Sequence, residues 1–155
     1  MVNAPALETL LKRHRSVAID TSAFIYLVEH HPRYHDLCER IFHRIESGQI
    51  TACTSTLTLL EVLVGPYQKG NEELVMKYYA LLTTYPNLTW LPLTGEIADR
   101  AAQIRAAYRL RTPDSIQAAS ALAFGATAII CNDAAFRKVA ALECLLLDDH
   151  TKEPA

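Results

Sequence analysis

The sequence predicts an α/β fold, a three-layer α/β/α sandwich around a central, mainly parallel sheet of five strands. Short apolar segments rich in β-branched residues alternate with longer segments whose apolar positions recur every three or four residues. Alternation of strands and helices along a chain favours parallel pairing of the strands. The predicted strands show no regular alternation of polar and apolar residues, which indicates a sheet covered by helices on both faces.

The first half of the chain is predicted to contain two strands among several helices. Regularly spaced apolar residues between Pro32 and Gly48 indicate one of these helices, and Gly48 is a typical helix stop. Asn71 is expected to cap another. In chain order the elements are a helix at 5–14, a strand at 16–20, helices at 24–29 and 32–48, a strand at 50–54, a helix that begins after Ser55 or Thr56 and ends at Gly65-Pro66, and a helix at 72–83.

The second half repeats the pattern with three further strands. Thr94 is expected to cap a long helix that ends near Tyr108. The next helix begins at Thr112-Pro113-Asp114, which supplies an N-cap, a proline at the first helical position and an acid in the first turn. The remaining predicted elements are strands at 88–92, 126–131 and 144–147 and a helix at 134–142.

Length and composition predict one globular domain over residues 1–155, because half of the residues are hydrophobic and 21% are charged. The 15 basic and 17 acidic side chains give a net charge of −2, which argues against adhesion to nucleic acid through bulk charge alone. The uncharged segment 115–132 contains several polar residues and a glycine, so it is interpreted as a buried helix followed by a strand and not as a membrane span.

The four cysteines argue against a structural metal centre. None forms a CxxC pair or a Cys/His spacing typical of zinc, and no signal peptide precedes the predicted domain. Reduced thiols and a cytoplasmic location are therefore expected. The cysteines are Cys38, Cys53, Cys131 and Cys144.

Four acids are predicted to lie near the carboxyl ends of the strands, where open parallel sheets bind their ligands. Asp20 closes the first strand, Asp133 follows the fourth, and Asp114 begins the helix before the fourth. Glu61 lies within an apolar run on the helix after the second strand, and a bare carboxylate there must face solvent, a partner or a cation. Each acid alone also has an ordinary interpretation, as a helix cap, a helix-dipole partner or part of a solvated face.

Together the four acids favour a metal site. Carboxylates that converge on one crevice repel each other unless a cation lies among them. Oxygen ligands without Cys or His indicate Mg²⁺ or Mn²⁺, and Mg²⁺ held in this way commonly binds phosphate oxygens. Four arginines near Asp114 are interpreted as phosphate contacts, with a solvated helix face as the alternative. They are Arg100, Arg105, Arg109 and Arg111.

The ordered motifs resemble the PIN-domain family, and the compact chain is similar to the VapC-type toxins of prokaryotic toxin–antitoxin pairs. The resemblance covers about residues 17–147. The motifs that carry it are Asp20-Thr21-Ser22 after a strand, Glu61 on a helix, Thr112-Pro113-Asp114 with its alanine-rich continuation, and Asn132-Asp133 followed by Phe136.

The resemblance implies an endoribonuclease that uses Mg²⁺ or Mn²⁺ to cut RNA with water. It assigns the catalytic, metal-binding quartet to Asp20, Glu61, Asp114 and Asp133. Asp20, Asp114 and Asp133 are expected to hold the metal directly or through water, and Glu61 to position or deprotonate the attacking water. Ser22, with Thr21 as the less favoured choice, is the expected assisting hydroxyl, and Asn132 occupies the polar position before the last acid. Cys131 stands two residues before the last acid, where the family commonly has Thr or Ser.

The resemblance also implies an RNA substrate, a small cognate antitoxin and a homodimer, and the composition of segment 115–132 argues against membrane association. One alternative is a weakly active or inactive PIN-like protein that binds RNA or serves as a scaffold. A phosphatase with an aspartate nucleophile is disfavoured, because Ser22 stands where such enzymes usually have a second aspartate. The histidine-containing stretch 30–35 is expected to be a solvated helix start and not a ligand cluster.

Overall fold

Five short parallel strands pair in one sheet at the centre of the molecule. The structure, a computed structural model, describes residues 4–151, and of residues 4–6 only the backbone. The strands in this range are β1 (Ser16–Ile19), β2 (Thr51–Ser55), β3 (Leu88–Leu91), β4 (Ala128–Cys131) and β5 (Glu143–Leu146). Their order across the sheet is β3-β2-β1-β4-β5, and every pair is parallel. The predicted fold class is therefore confirmed.

Seven α-helices and two short 3₁₀ helices connect the strands within the described residues. The α-helices are α1 (Ala4–Lys12), α2 (Thr21–Val28), α3 (His35–Glu46), α4 (Leu57–Gln68), α5 (Glu72–Thr84), α6 (Gly95–Tyr108) and α7 (Thr112–Phe124), and the 3₁₀ helices are Ala134–Lys138 and Leu147–His150. None of the described helices is long and apolar enough to cross a membrane.

The sheet separates two hydrophobic clusters, which gives the three layers. Successive side chains of a strand point to opposite faces. Val17 and Ile19 of β1 accordingly pack in the cluster beneath α1 to α5, whereas Ala18 packs in the cluster beneath α6 and α7. The same alternation places Ile130 in the first cluster and Ile129 in the second. Both faces of the sheet are covered, as the absence of polar alternation predicted.

The order in which the chain adds strands to the sheet reverses between β1 and β4. It builds β2 and β3 on one side of β1 and then crosses to the other side for β4 and β5. The crevice at the carboxyl ends of β1 and β4 is thus a topological switch point, the usual ligand position in open parallel sheets. Asp20 and Asp133 follow these two strands.

Several predicted helix boundaries are wrong by about one turn or less: the helix predicted at 24–29 begins at Thr21, and the one predicted at 32–48 begins at His35. The helix expected to end at Gly65-Pro66 continues to Gln68, because the carbonyls of Gly65 and Pro66 still accept bonds from the N–H groups of Lys69 and Asn71. The expected N-cap Thr112 is instead the first residue of α7, and Arg111 is the N-cap.

The helix predicted over 134–142 is a single 3₁₀ turn followed by irregular chain. Its backbone bonds span three residues, from the Phe136 N–H to the Asp133 carbonyl and from the Val139 N–H to the Phe136 carbonyl. Phe136 is fully buried, and Asp133 caps the turn by accepting a bond from the Ala135 N–H at 2.9 Å. The expected caps Asn71 and Thr94 are confirmed by bonds to the third residue of each helix.

Candidate metal-binding active site

Asp20 lies at the bottom of the crevice between β1 and β4. Its N–H donates to the Ile130 carbonyl at 2.9 Å, which fixes its backbone to β4. It occupies the N-cap position of α2, but its side chain makes no capping hydrogen bond, so the carboxylate is free to face the crevice. Burial raises the pKa of Asp20 to about 7, opposed by the Thr21 N–H and assisted by repulsion from the other three acids of the quartet.

Asp114 and Asp133 share one positive partner. Asp114 is 5% exposed in the first turn of α7, and Arg111 Nε donates to its Oδ2 at 3.1 Å. Arg111 Nη2 lies 3.7 Å from Asp133 Oδ2, while 74% of the arginine side chain is exposed. One guanidinium on the solvent side therefore bridges two carboxylates of the crevice. This contact identifies Arg111 as the member of the predicted arginine set that reaches the acids.

Glu61 is held by a hydroxyl from the start of α2. Thr21 Oγ1 donates to Glu61 Oε1 at 2.7 Å. Ser22, the favoured assisting hydroxyl in the sequence, has a buried Oγ without a hydrogen-bond partner. The structure thus connects the less favoured hydroxyl, Thr21, to the quartet, and the assisting role of Ser22 stays a prediction.

Asp133 combines a structural and an electrostatic contact. Its Oδ1 accepts the capping bond from the Ala135 N–H, and its Oδ2 faces Arg111. The cap and site interpretations of this residue are therefore compatible, since each uses a different oxygen.

The Asn132 side chain joins three segments beside the crevice. Its Nδ2 donates to the Tyr26 hydroxyl at 3.2 Å, and its Oδ1 accepts from the Asp148 N–H at 3.0 Å. Both ends of the amide are thus engaged, so Asn132 ties α2 to the chain after β5. The Asp148 carboxylate points elsewhere, since it accepts from the Tyr34 hydroxyl and pairs with Arg33.

Cys131 lies directly beneath the last acid. Its Sγ is 3.6 Å from the Asp133 carbonyl oxygen and 3.3 Å from Cys144 Sγ. Contact with Cys144 and burial raise the pKa of Cys131, which keeps its thiol protonated. A protonated thiol is a weak donor, so it contacts the Asp133 backbone less strongly than a hydroxyl would.

The donor set fits a hard divalent cation. All four side chains offer carboxylate oxygens, and repulsion from the other three acids adds to burial in raising the pKa of Asp20. Among the described residues, no three of these four acids have donor atoms within 4.8 Å of one another. In the described part of the chain the donor atoms that do lie so close belong to His35, Asp36 and Glu39 at the exposed start of α3.

Sequence reasoning missed a group of buried polar side chains below the acids. Thr54, Thr58 and Gln117 are each no more than 2% exposed and are joined by hydrogen bonds. A signal was present at Gln117, which interrupts a segment of apolar and small residues and follows Asp114 by three residues on one helix face.

Comparison with known proteins gives a family match and several similar folds. A family model described as the PIN domain matches residues 17–142. A DNA-bound VapBC from Salmonella typhimurium is similar in structure, with 19% identity, a TM-score of 0.67 and coverage of 85% of this chain and 98% of that one. VapBC2 from Rickettsia felis, bound to a fragment of promoter DNA, has 18% identity, a TM-score of 0.63 and coverage of 83% and 96%.

VapBC-1 from nontypeable Haemophilus influenzae is a third similar structure. It has 20% identity and a TM-score of 0.63, and the match covers 86% of this chain and 98% of that one. At these identities the likeness shows the fold. No curated protein sequence matches the chain.

Proposed function

The chain belongs to the PIN domain family, and from this premise we propose that it is a metal-dependent endoribonuclease, the toxin of a cytoplasmic toxin–antitoxin pair. The observation that carries the proposal is the convergence of Asp20, Glu61, Asp114 and Asp133 on one crevice at the switch point of the sheet. The family match and the similar VapBC structures support it.

Three acids of the quartet would hold the cation, and the fourth would position or deprotonate the attacking water. Asp20, Asp114 and Asp133 supply oxygens at the ends of β1 and β4 and from the first turn of α7. When bound, Mg²⁺ or Mn²⁺ would lower the pKa of a water molecule and offset charge that develops on the phosphate. Thr21 holds one oxygen of Glu61, so the other oxygen is available to accept a proton from the attacking water.

Arg111 would contact the RNA phosphate. Its guanidinium is largely exposed and already lies against the carboxylates, so a short side-chain movement brings it to a phosphate beside the metal. Arg105 on α6 and Arg109, the residue that ends it, would add further phosphate contacts, and both line a surface cleft of about 420 Å³. One nitrogen of the Arg105 guanidinium also has a structural contact, since its Nη1 donates to the Leu110 carbonyl at 2.7 Å.

Two protein partners are proposed. A cognate antitoxin would place an Arg or Lys side chain against the crevice carboxylates, where a cation is favoured. A second copy of the chain would cover an exposed apolar face of α4 and α5. This face, called the α4/α5 face below, consists of Leu60, Val64, Tyr67, Met76 and Tyr79.

The activity is tested by incubating purified protein with a panel of tRNA and rRNA fragments in Mg²⁺, Mn²⁺ or EDTA. We expect cleavage in either metal, none in EDTA, and a loss of at least 100-fold in Asp114→Asn, because the variant loses a charged ligand. Asp99→Asn is the control, since Asp99 is an exposed acid of α6 bonded to Gln103.

Each outcome separates the proposal from its alternative. Metal-dependent cuts that disappear in Asp114→Asn support a nuclease. Equal cleavage by the wild type and Asp114→Asn contradicts the assigned site. RNA binding without cleavage in any metal favours an inactive PIN-like RNA-binding protein.

A further inference from the structure

A chain of buried hydrogen bonds runs beneath the acidic crevice. Gln117 Nε2 donates to Thr58 Oγ1 at 2.8 Å, and Thr58 Oγ1 lies 2.7 Å from Thr54 Oγ1. Thr54 Oγ1 in turn donates to the carbonyl of Ile19 at 2.9 Å. Buried polar side chains are costly unless they are hydrogen-bonded, and here every one has a partner.

The number of protons limits how these hydrogen bonds can be arranged. Each hydroxyl carries a single proton, and that of Thr54 is used on the Ile19 carbonyl. Thr58 accepts from Gln117 and has one proton to donate, either to Thr54 Oγ1 at 2.7 Å or to Thr21 Oγ1 at 3.3 Å. The Gln117 amide is oriented by a second contact, because its Oε1 accepts from the Ser55 N–H at 3.4 Å. The Thr21 hydroxyl donates its own proton to the Glu61 carboxylate.

Three members of this chain of hydrogen bonds each lie one helical turn or one residue from an acid of the quartet. Gln117 follows Asp114 by three residues on α7, and Thr58 precedes Glu61 by three residues on α4. Ile19 is the residue directly before Asp20. The hydrogen bonds thus connect the three elements that carry Asp20, Glu61 and Asp114.

We propose that Thr58 and Gln117 are positioning residues that set the spacing of Asp20, Glu61 and Asp114 for a divalent cation. This inference rests on the proposed function. Apolar residues at these two positions would pack without any need for hydrogen bonds. The polar side chains therefore serve mainly to fix the relative positions of the elements that they join, and less to add burial energy. Partners of metal-ligating groups commonly affect metal affinity 10- to 100-fold.

The test compares Mn²⁺ binding by the wild type, Thr58→Val and Gln117→Met, measured by the electron paramagnetic resonance of free Mn²⁺. Valine and methionine keep the approximate shape but lose the hydrogen bonds. We expect the dissociation constant for Mn²⁺ to rise about 10- to 100-fold in both variants. RNA cleavage should fall in parallel at fixed Mn²⁺ and recover in part at high Mn²⁺. Thr58→Ser keeps the hydroxyl and should bind Mn²⁺ within about threefold of the wild type.

Ile45→Val controls for loss of stability alone. Ile45 is fully buried at the end of α3, where its carbonyl accepts from Asn87 Nδ2 just before β3, and the change removes one buried carbon atom from the core. It should leave Mn²⁺ binding unchanged.

The outcomes distinguish the inference from the proposed function. If the wild type binds no Mn²⁺ and cuts no RNA, the proposed metal site falls and the inference with it. If the wild type binds Mn²⁺ and Gln117→Met binds it equally well, the positioning role is overturned while the nuclease proposal stands. The same conclusion holds if Ile45→Val weakens binding as much as the polar variants. Gln117→Met decides the matter alone if Thr58→Val does not fold.

Discussion

At the scale of single residues, burial perturbs the carboxyl group of Asp20. Burial and three neighbouring carboxylates raise its pKa from 3.8 to about 7. The folded protein therefore favours the protonated form more than the unfolded chain does. Without a metal, its contribution to folding stability is fully present below about pH 4 and is lost as the pH rises to 7 and above.

Asp20→Asn should therefore stabilise the metal-free protein at pH 8 and leave it nearly unchanged at pH 4. The asparagine carries no charge to bury, so we expect the melting temperature in EDTA to rise by about 5 °C at pH 8. Thermal denaturation followed by circular dichroism measures this. Added Mg²⁺ should raise the melting temperature of the wild type at pH 8 and have little effect on the variant.

Asp99→Asn again serves as the control, because it removes an exposed negative charge away from the crevice. A melting temperature of Asp20→Asn equal to or below that of the wild type at pH 8 in EDTA would contradict the raised pKa.

The sequence spacing did not decide which hydroxyl, that of Thr21 or that of Ser22, contacts the acids. Thr21 and Ser22 are adjacent hydroxyl residues after the same strand, and the sequence favours Ser22. They leave the first turn of α2 in different directions, so only one reaches α4. That one is Thr21, whose Oγ1 lies 2.7 Å from Glu61.

At the scale of elements, the start of α7 places a cation and an anion side by side. Arg111 is the N-cap, and its positive charge is disfavoured near the positive end of a helix dipole. The contacts with Asp114 and Asp133 offset this cost. Arg111 is therefore held at the crevice by the acids and is available to a phosphate once a cation neutralises them.

Arg111→Gln should weaken RNA binding more than metal binding. We expect KM for a cleaved RNA to rise about 10-fold and the slope of log affinity against log salt to fall by about 0.7 to 1, as for one lost phosphate contact. Mn²⁺ affinity should stay equal or increase, since a competing cation is removed. Cleavage kinetics at several salt concentrations give both quantities.

The matched control for this variant is Arg137→Gln, because Arg137 pairs with the exposed Asp149 and not with the quartet. An unchanged KM and salt slope in Arg111→Gln would show that Arg111 does not contact the substrate.

Helix and strand identity was largely predictable, whereas several helix boundaries and one helix type were not. Apolar spacing and the caps at Asn71 and Thr94 located most helices, because these signals are local. The segment after Asp133 reads as a helix but forms a 3₁₀ turn. There the buried Phe136 and the approach to β5 fix the backbone, and both are tertiary constraints.

At the scale of the whole molecule, the α4/α5 face is the largest group of exposed apolar side chains in the described residues. Leu60, Tyr67 and Met76 are each more than 60% exposed. Leu60, Val64 and Tyr67 recur at helical spacing and so form one stripe on α4. A contiguous exposed apolar patch is typical of a protein–protein interface.

The double variant Tyr67→Ser/Met76→Ser should convert the proposed homodimer to a monomer. The substitutions remove two of the largest apolar contacts of the face and cost little in the isolated chain, because both side chains are already exposed. Sedimentation velocity measures the change.

Leu93→Ser is the matched control for this surface, as Leu93 is 52% exposed but lies before α6, outside the α4/α5 face. A wild-type monomer at all concentrations, or a double variant that still dimerises, would contradict the proposed interface.

The sequence by itself determined the order of strands and helices, the parallel sheet and the four acids near its carboxyl edge. These follow from local periodicity and from the rule that places ligands at strand ends. Only the tertiary structure decided that Thr21 holds Glu61, that Arg111 bridges Asp114 and Asp133, and that Gln117 bonds to Thr58. These contacts join residues brought together by the packing of α2, α4 and α7 around β1 and β4. Pattern along the chain fixes which face a residue takes, but not which side chain it meets there.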